Sequence, residues 1–61
     1  MDGKALREWR HTLGLSQRQL ATLLGIHWNP VARLERGELP IPHPAWLLAR
    51  LEEIKRQHFA A

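Results

Sequence analysis

The sequence predicts an all-α domain, a compact bundle of four or five short helices. Apolar residues recur at helical spacing along most of the 61 residues, and no segment alternates for long enough to indicate a strand. Glycines or prolines separate these segments at short intervals. The chain has no cysteine, so neither a disulfide nor a thiolate zinc site can supplement its core. We therefore expect one domain over residues 1–61, held together by helix packing or by a partner subunit.

The first helix is predicted over residues 3–12. Asp2 suits the N-cap position, because its side-chain oxygen can accept a hydrogen bond from a free N–H of the first turn. Leu6 and Trp9 lie on one helical face. Gly14 marks the end of the helix.

The second helix has the best-marked start in the chain. Ser16 and Gln19 have the spacing of a capping box, in which each side chain bonds the backbone N–H of the other residue. Gly25 stands where a left-handed residue would end the helix. The side chains predicted to face the core are those of Leu20, Leu23 and Leu24.

A third helix follows within a few residues, carries Val31 and Leu34 inward, and stops at Gly37. Residues 38–44, ELPIPHP, contain three prolines and are predicted to form a stiff, extended connector. The last helix is predicted over about residues 44–59, with proline in its first turn. Its predicted apolar side consists of Leu47, Leu48, Leu51 and Ile54.

Residues 16–37 have the spacing of a helix-turn-helix, in which a tight turn containing glycine joins two packed helices. In that motif a small residue is expected where the two helices cross, a glycine in the turn, and apolar residues between the helices. These positions are occupied by Ala21, by Gly25, and by Ile26, Val31 and Leu34. With LSQRQLATLLGI at 15–26 and RLERG at 33–37, the chain resembles the phage-repressor and Cro-like (XRE-type) helix-turn-helix family. The resemblance covers roughly residues 4–54. It implies a lambda-repressor-like fold that binds double-stranded DNA.

The charge distribution agrees with a polyanionic partner. The chain carries 9 Lys and Arg against 6 Asp and Glu, a net charge of +3 at pH 7. Residues 1–37 contain six basic and three acidic residues, whereas residues 38–61 contain three of each. The basic excess thus lies in the part of the chain that contains the helix-turn-helix.

The resemblance also implies roles for individual residues. Those that would face base edges in the major groove are Trp28, Asn29, Ala32 and Arg33. Those that would contact phosphate are Gln17, Arg18, His27 and Arg36. Arg10 and Glu35 match a pair that forms an internal salt bridge in some members of the family.

Helical spacing supports the DNA-reading face independently of the resemblance. One continuous face carries the residues at i, i+3, i+4 and i+7, which are Asn29, Ala32, Arg33 and Arg36. Arginine pairs with the O6 and N7 atoms of guanine, and asparagine with N6 and N7 of adenine.

Two starts of the third helix remain open. The family register puts the N-cap at His27, whereas Asn29 and Pro30 form a good pair for N-cap and first helical position. In the second case Asn29 would cap the helix instead of contacting a base. Trp28 could contact a thymine methyl group, lie along the sugar-phosphate backbone, or pack on its own domain.

The connector departs from the family, whose members often place basic residues there to bind phosphate. Among residues 38–44, His43 is the one candidate for that role. Phosphate contacts should then come from helix N-termini and from Arg18, Arg36 and Lys4 or Arg7.

The last helix carries more apolar and aromatic surface than so small a core can bury. Its surplus side chains are predicted to form a symmetric dimer contact, the alternative being a partly frayed tail. These side chains are Trp46, Ile54, His58 and Phe59. A two-fold dimer would suit a palindromic operator.

These observations predict a sequence-specific regulator of transcription, a dimeric, autoregulating repressor on an inverted-repeat operator. The alternative is an antitoxin-type module that covers a toxin partner and binds DNA secondarily. An RNA-binding module is disfavoured, because few aromatic residues are available to stack on bases.

We expect no enzyme, cofactor, metal site or small-molecule ligand. The four histidines have no metal-ligand spacing, and Ser16 is explained by capping. No run reaches the roughly 20 apolar residues of a membrane span, and the first residues lack the apolar segment of a signal peptide. We therefore expect a cytoplasmic protein of a bacterium or of a phage-infected cell.

Overall fold

Four α-helices follow one another along the chain. Helix α1 spans Gly3–Thr12, α2 spans Gln17–Leu24, α3 spans Trp28–Glu35 and α4 spans Pro44–Phe59. The computed structural model describes residues 1–59, the last by its backbone, and no strand occurs within this part of the chain. The all-α prediction is confirmed. None of the helices in the described part is long and apolar enough to cross a lipid bilayer.

Side-chain caps start the first two helices. The Oδ1 atom of Asp2 accepts a hydrogen bond from the backbone N of Ala5 at 2.8 Å. The capping box of α2 is complete, because Ser16 Oγ accepts from Gln19 N at 3.0 Å and Gln19 Oε1 accepts from Ser16 N at 2.8 Å. Helix α2 ends at Gly25, whose φ of 73° lies in the left-handed region that glycine tolerates.

The capping box leads to a direct stability test. We expect Ser16→Ala to lower the free energy of unfolding by about 1 kcal/mol, because the Gln19 N–H loses its acceptor. Urea denaturation followed by circular dichroism measures the change. Thr22→Ala is the matched control, since it removes an exposed hydroxyl from the same helix. Equal losses for the two variants would contradict the role of the cap.

The core forms where the helices meet. Its largest fully buried side chains are those of Leu6, Leu13, Leu20, Val31 and Leu51. Leu47 and Ile54 bring α4 into the same cluster, and Trp9 packs against it from α1. The core therefore joins all four helices.

Three residues predicted to be inward or sealing are exposed instead: Leu23, Ile26 and Leu48. The inward face of α2 runs through Leu20 and Ala21, and at 100° per residue Leu23 lies about 110° from the middle of that face. On α4, Leu48 lies one residue beyond the buried Leu47 and is rotated by the same angle. Helices α2 and α4 therefore each bury fewer of their leucines than the sequence predicts.

The start of α1 lies directly against the end of α3. A β-carbon at Gly3 would overlap the backbone oxygen of Leu34 and lie 2.9 Å from that of Glu35. This close approach needs a residue without a side chain.

Candidate nucleic-acid interface

Helix α3 begins at the first of the two predicted starts. His27 has extended backbone angles, φ −71° and ψ 153°, and its Nδ1 atom accepts from the backbone N of Asn29 at 3.3 Å. Pro30 therefore occupies the third helical position. Its missing N–H causes no loss there, because the first four N–H groups of a helix have no partner within it. Asn29 is thus not the N-cap.

Most of the predicted base-reading residues lie on the surface of α3. Trp28 is 37% exposed, the side chain of Arg33 is 51% exposed, and Asn29 is exposed as well. Ala32 is 6% exposed and packs inward, so a base contact by this residue has little surface available. The exposed face of α3 therefore consists of Trp28 and Asn29 in its first turn, together with Arg33.

The tip of α3 carries a cluster of aromatic and basic side chains. The rings of His27 and Trp28 stack with their centroids 6.1 Å apart and an interplanar angle of 29°. The guanidinium of Arg18, on α2, lies 5.2 Å from the centroid of the Trp28 ring. Such contacts favour one ring orientation. Trp28 therefore packs on its own domain while more than a third of it stays open to a partner.

The residues predicted to contact phosphate differ in what they already bind. Arg18 and His27 are exposed and belong to the Trp28 cluster. The amide Nε2 of Gln17 donates to Glu35 Oε1 at 3.3 Å, so this side chain has an internal partner.

Arg10 and Glu35 form a nearly buried ion pair beneath this surface. Arg10 Nε lies 2.7 Å from Glu35 Oε2, and Arg10 Nη2 donates to Oε1 at 3.0 Å. The two side chains are 13% and 3% exposed. Arg10 Nη1 also donates to the backbone oxygen of Leu15 at 3.0 Å. The pair joins α1, the turn before α2, and α3.

Sequence reasoning did not identify Glu38 as part of this surface. Its carboxylate lies 3.7 Å from Arg33 Nε and accepts a hydrogen bond from Arg36 Nε. This hydrogen bond lowers the pKa of Glu38 below its usual range and raises the pKa of Arg36 above its ordinary value. The sequence did place Glu38 two residues after Arg36, in ERGE at 35–38. That spacing brings the two side chains together only if the chain turns at Gly37.

The residues predicted to form a dimer contact do not share one environment. Trp46 is 58% exposed and His58 is exposed. Ile54 lies in the core of its own chain, because it is on the same face of α4 as Leu51, and it leaves the proposed dimer set. The side chain of Phe59 lies outside the described residues.

An apolar groove lies between α3 and the connector that follows it. Its lining consists of Ile26, Pro30, Leu34, Leu39, Pro40 and Pro42. Within residues 1–59, no three His, Cys, Asp or Glu residues form a group that could hold a metal ion.

A family model described as a helix-turn-helix domain matches residues 3–52. The match includes α1, α2, α3 and the first half of α4, and therefore every residue from Arg10 to Glu38 described above. Searches of the curated proteins and of the solved structures found no match.

Proposed function

The chain belongs to the helix-turn-helix domain family, and from this premise we propose that it is a sequence-specific regulator of transcription. In this proposal α3 enters the major groove of double-stranded DNA. The observation that carries the proposal is the exposed face formed by Trp28, Asn29 and Arg33 on a helix held in the core by Val31. An α-helix with its side chains is about 10–12 Å across, and the major groove is about 12 Å wide, so α3 fits the groove by its diameter.

Each residue of the face has a proposed contact. The guanidinium of Arg33 is suited to the O6 and N7 atoms of guanine, and the amide of Asn29 to N6 and N7 of adenine. The exposed part of Trp28 is suited to a thymine methyl group or to a sugar. Arg18 and His27, beside it, would bind the neighbouring phosphates.

We further propose that the protein acts as a homodimer, an autoregulating repressor on an inverted repeat in a bacterial or phage-infected cell. The supporting observation is the exposure of two large apolar side chains on α4, Trp46 at 58% and Leu48 at 38%. A two-fold contact that covers Trp46, the more exposed of the two, would place two copies of α3 at half-sites about one helical turn of DNA apart.

The second candidate function is an antitoxin-type module that covers a toxin. The groove beside α3 favours it, because its lining is almost entirely apolar and includes the exposed Ile26. An apolar recess of this kind fits a protein side chain better than a phosphate group.

Selection from a random duplex library, followed by a salt titration, tests the proposed function. We expect an enriched inverted repeat and a log–log salt slope of about −0.9 per phosphate contact. A single enriched half-site would support a monomeric reader and contradict the dimer. If no sequence is enriched, sequence-specific binding is wrong and the protein-interaction module is favoured.

Two substitutions separate base reading from phosphate binding. We expect Arg33→Ala to relax selectivity at one base pair by about 1–3 kcal/mol, or roughly 5- to 150-fold. We expect Gln17→Ala to weaken binding to all sequences alike. Thermal melts of both variants control for folding, because Gln17 also bonds Glu35. A uniform loss in both variants would disprove the assignment of Arg33.

A further inference from the structure

We propose that Glu38 determines specificity by restraining Arg33 and Arg36, and so weakens binding to DNA that lacks the target sequence. This inference rests on the proposed DNA-binding function. It adds a residue that opposes binding to the residues that favour it.

The backbone places Glu38 beside the two arginines. Gly37 has a φ of 78°, and its N–H donates to the Leu34 oxygen at 3.2 Å. The N–H of Glu38 donates to the Arg33 oxygen at 2.9 Å. These two bonds form a Schellman cap, which folds the chain back on the last turn of α3. The position of Glu38 is therefore set by the helix end rather than by its own side chain.

The carboxylate interacts with one guanidinium through each of its oxygens. Oε1 lies 3.7 Å from Arg33 Nε, and Oε2 accepts the hydrogen bond from Arg36 Nε. The three side chains are between 47% and 58% exposed, so these pairs contribute little to folding stability. The bond from Arg36 lowers the pKa of Glu38 and so favours the charged form of its carboxylate. The Glu38 carboxylate therefore acts mainly by limiting which other groups Arg33 and Arg36 can bind.

DNA phosphate and the Glu38 carboxylate compete for the same donors. A phosphate offers anionic oxygens similar in kind to those that Arg36 already binds, and the carboxylate also repels it. A guanine in the target sequence offers Arg33 two acceptors in a fixed geometry. These two hydrogen bonds compensate Arg33 for the lost contact with Glu38 better than a phosphate does. Binding to non-target DNA, which depends almost entirely on phosphate contacts, should be weakened more.

Fluorescence anisotropy with a duplex of arbitrary sequence tests the proposal without knowledge of the operator. We expect Glu38→Gln to tighten this binding about 5- to 10-fold near 0.1 M salt and to steepen the log–log slope by about 0.9, the effect of one added phosphate contact. Glu52→Gln is the matched control, since it removes the same charge from an exposed position on α4. We expect this control to change affinity less than about 2-fold, with an unchanged slope.

The possible results separate this proposal from the proposed function. Equal effects of Glu38→Gln and Glu52→Gln would mean that net charge alone matters, and weaker binding by Glu38→Gln would mean that Glu38 assists DNA binding. Either result overturns the restraint while DNA binding stands. With a selected operator, Glu38→Gln should lower the ratio of target to non-target affinity, and an unchanged ratio also overturns it. If the wild-type chain binds no duplex, both proposals fail.

Discussion

Replacement of Glu35 by alanine is expected to lower the free energy of unfolding by about 3–5 kcal/mol. The variant leaves the guanidinium of Arg10 nearly buried, with 13% of the side chain exposed and without its carboxylate partner. Gln17 loses its acceptor in the same step. A domain of 61 residues has a total stability of roughly 3–9 kcal/mol, so this loss would unfold much of the protein at room temperature.

Urea denaturation and thermal melts measure this loss, and two further variants make it interpretable. Glu53→Ala breaks the more exposed pair with Arg50 and should cost less than about 1 kcal/mol. A double variant, Arg10→Met with Glu35→Leu, removes both charges and should recover most of the stability. If Glu35→Ala costs no more than Glu53→Ala, the buried pair does not stabilise the fold in the way described.

Replacement of Gly3 by alanine is expected to destabilise the protein, although alanine favours helix over glycine by about 1 kcal/mol. The new methyl group would overlap the backbone oxygen of Leu34. A backbone atom cannot rotate away as a side chain can, so α1 must shift from α3. We expect a loss in the upper half of the roughly 1–3 kcal/mol typical of overpacking.

Gly14→Ala is the control for this substitution. Gly14 has a φ of 69° with no atom within 4 Å of a β-carbon, so alanine there causes backbone strain but no overlap. Amide NMR spectra distinguish the two effects. Gly3→Ala should shift the signals of the last turn of α3 and of Gly37 just after it, whereas Gly14→Ala should leave them unchanged. A stabilised Gly3→Ala variant would contradict the close approach.

The helix boundaries were predictable because the signals for them are local. A cap or a C-terminal glycine acts through hydrogen bonds within a few residues, as at Asp2 and Ser16. Where two local signals competed, as at His27 and Asn29, local chemistry left the choice open. The observed start at Trp28 accompanies the contacts of its ring with His27 and Arg18, and the contact with Arg18 involves another helix.

The candidate site was predictable to the extent that helical spacing determines it. The exposure of Asn29 and Arg33 follows from the burial of Val31 and Leu34 on the opposite side of α3. The inward position of Ala32 and the location of Ile54 in the core depend on neighbouring helices, which spacing on a single helix does not describe. Glu38 joins the site through a turn, and side-chain contacts across a turn have no helical period.

The sequence by itself determined the four helices, the caps of α1 and α2 and the exposed face of α3, since each of these arises from interactions between residues close along the chain. The tertiary structure alone decided how much of each apolar stripe is buried. It also determined the close approach of α1 to α3 that requires glycine at residue 3, and the position of Glu38 beside Arg33 and Arg36. The physical reason is that these features depend on distances between segments far apart in sequence, or on the direction of the chain after a left-handed turn, and both are established only when the helices pack.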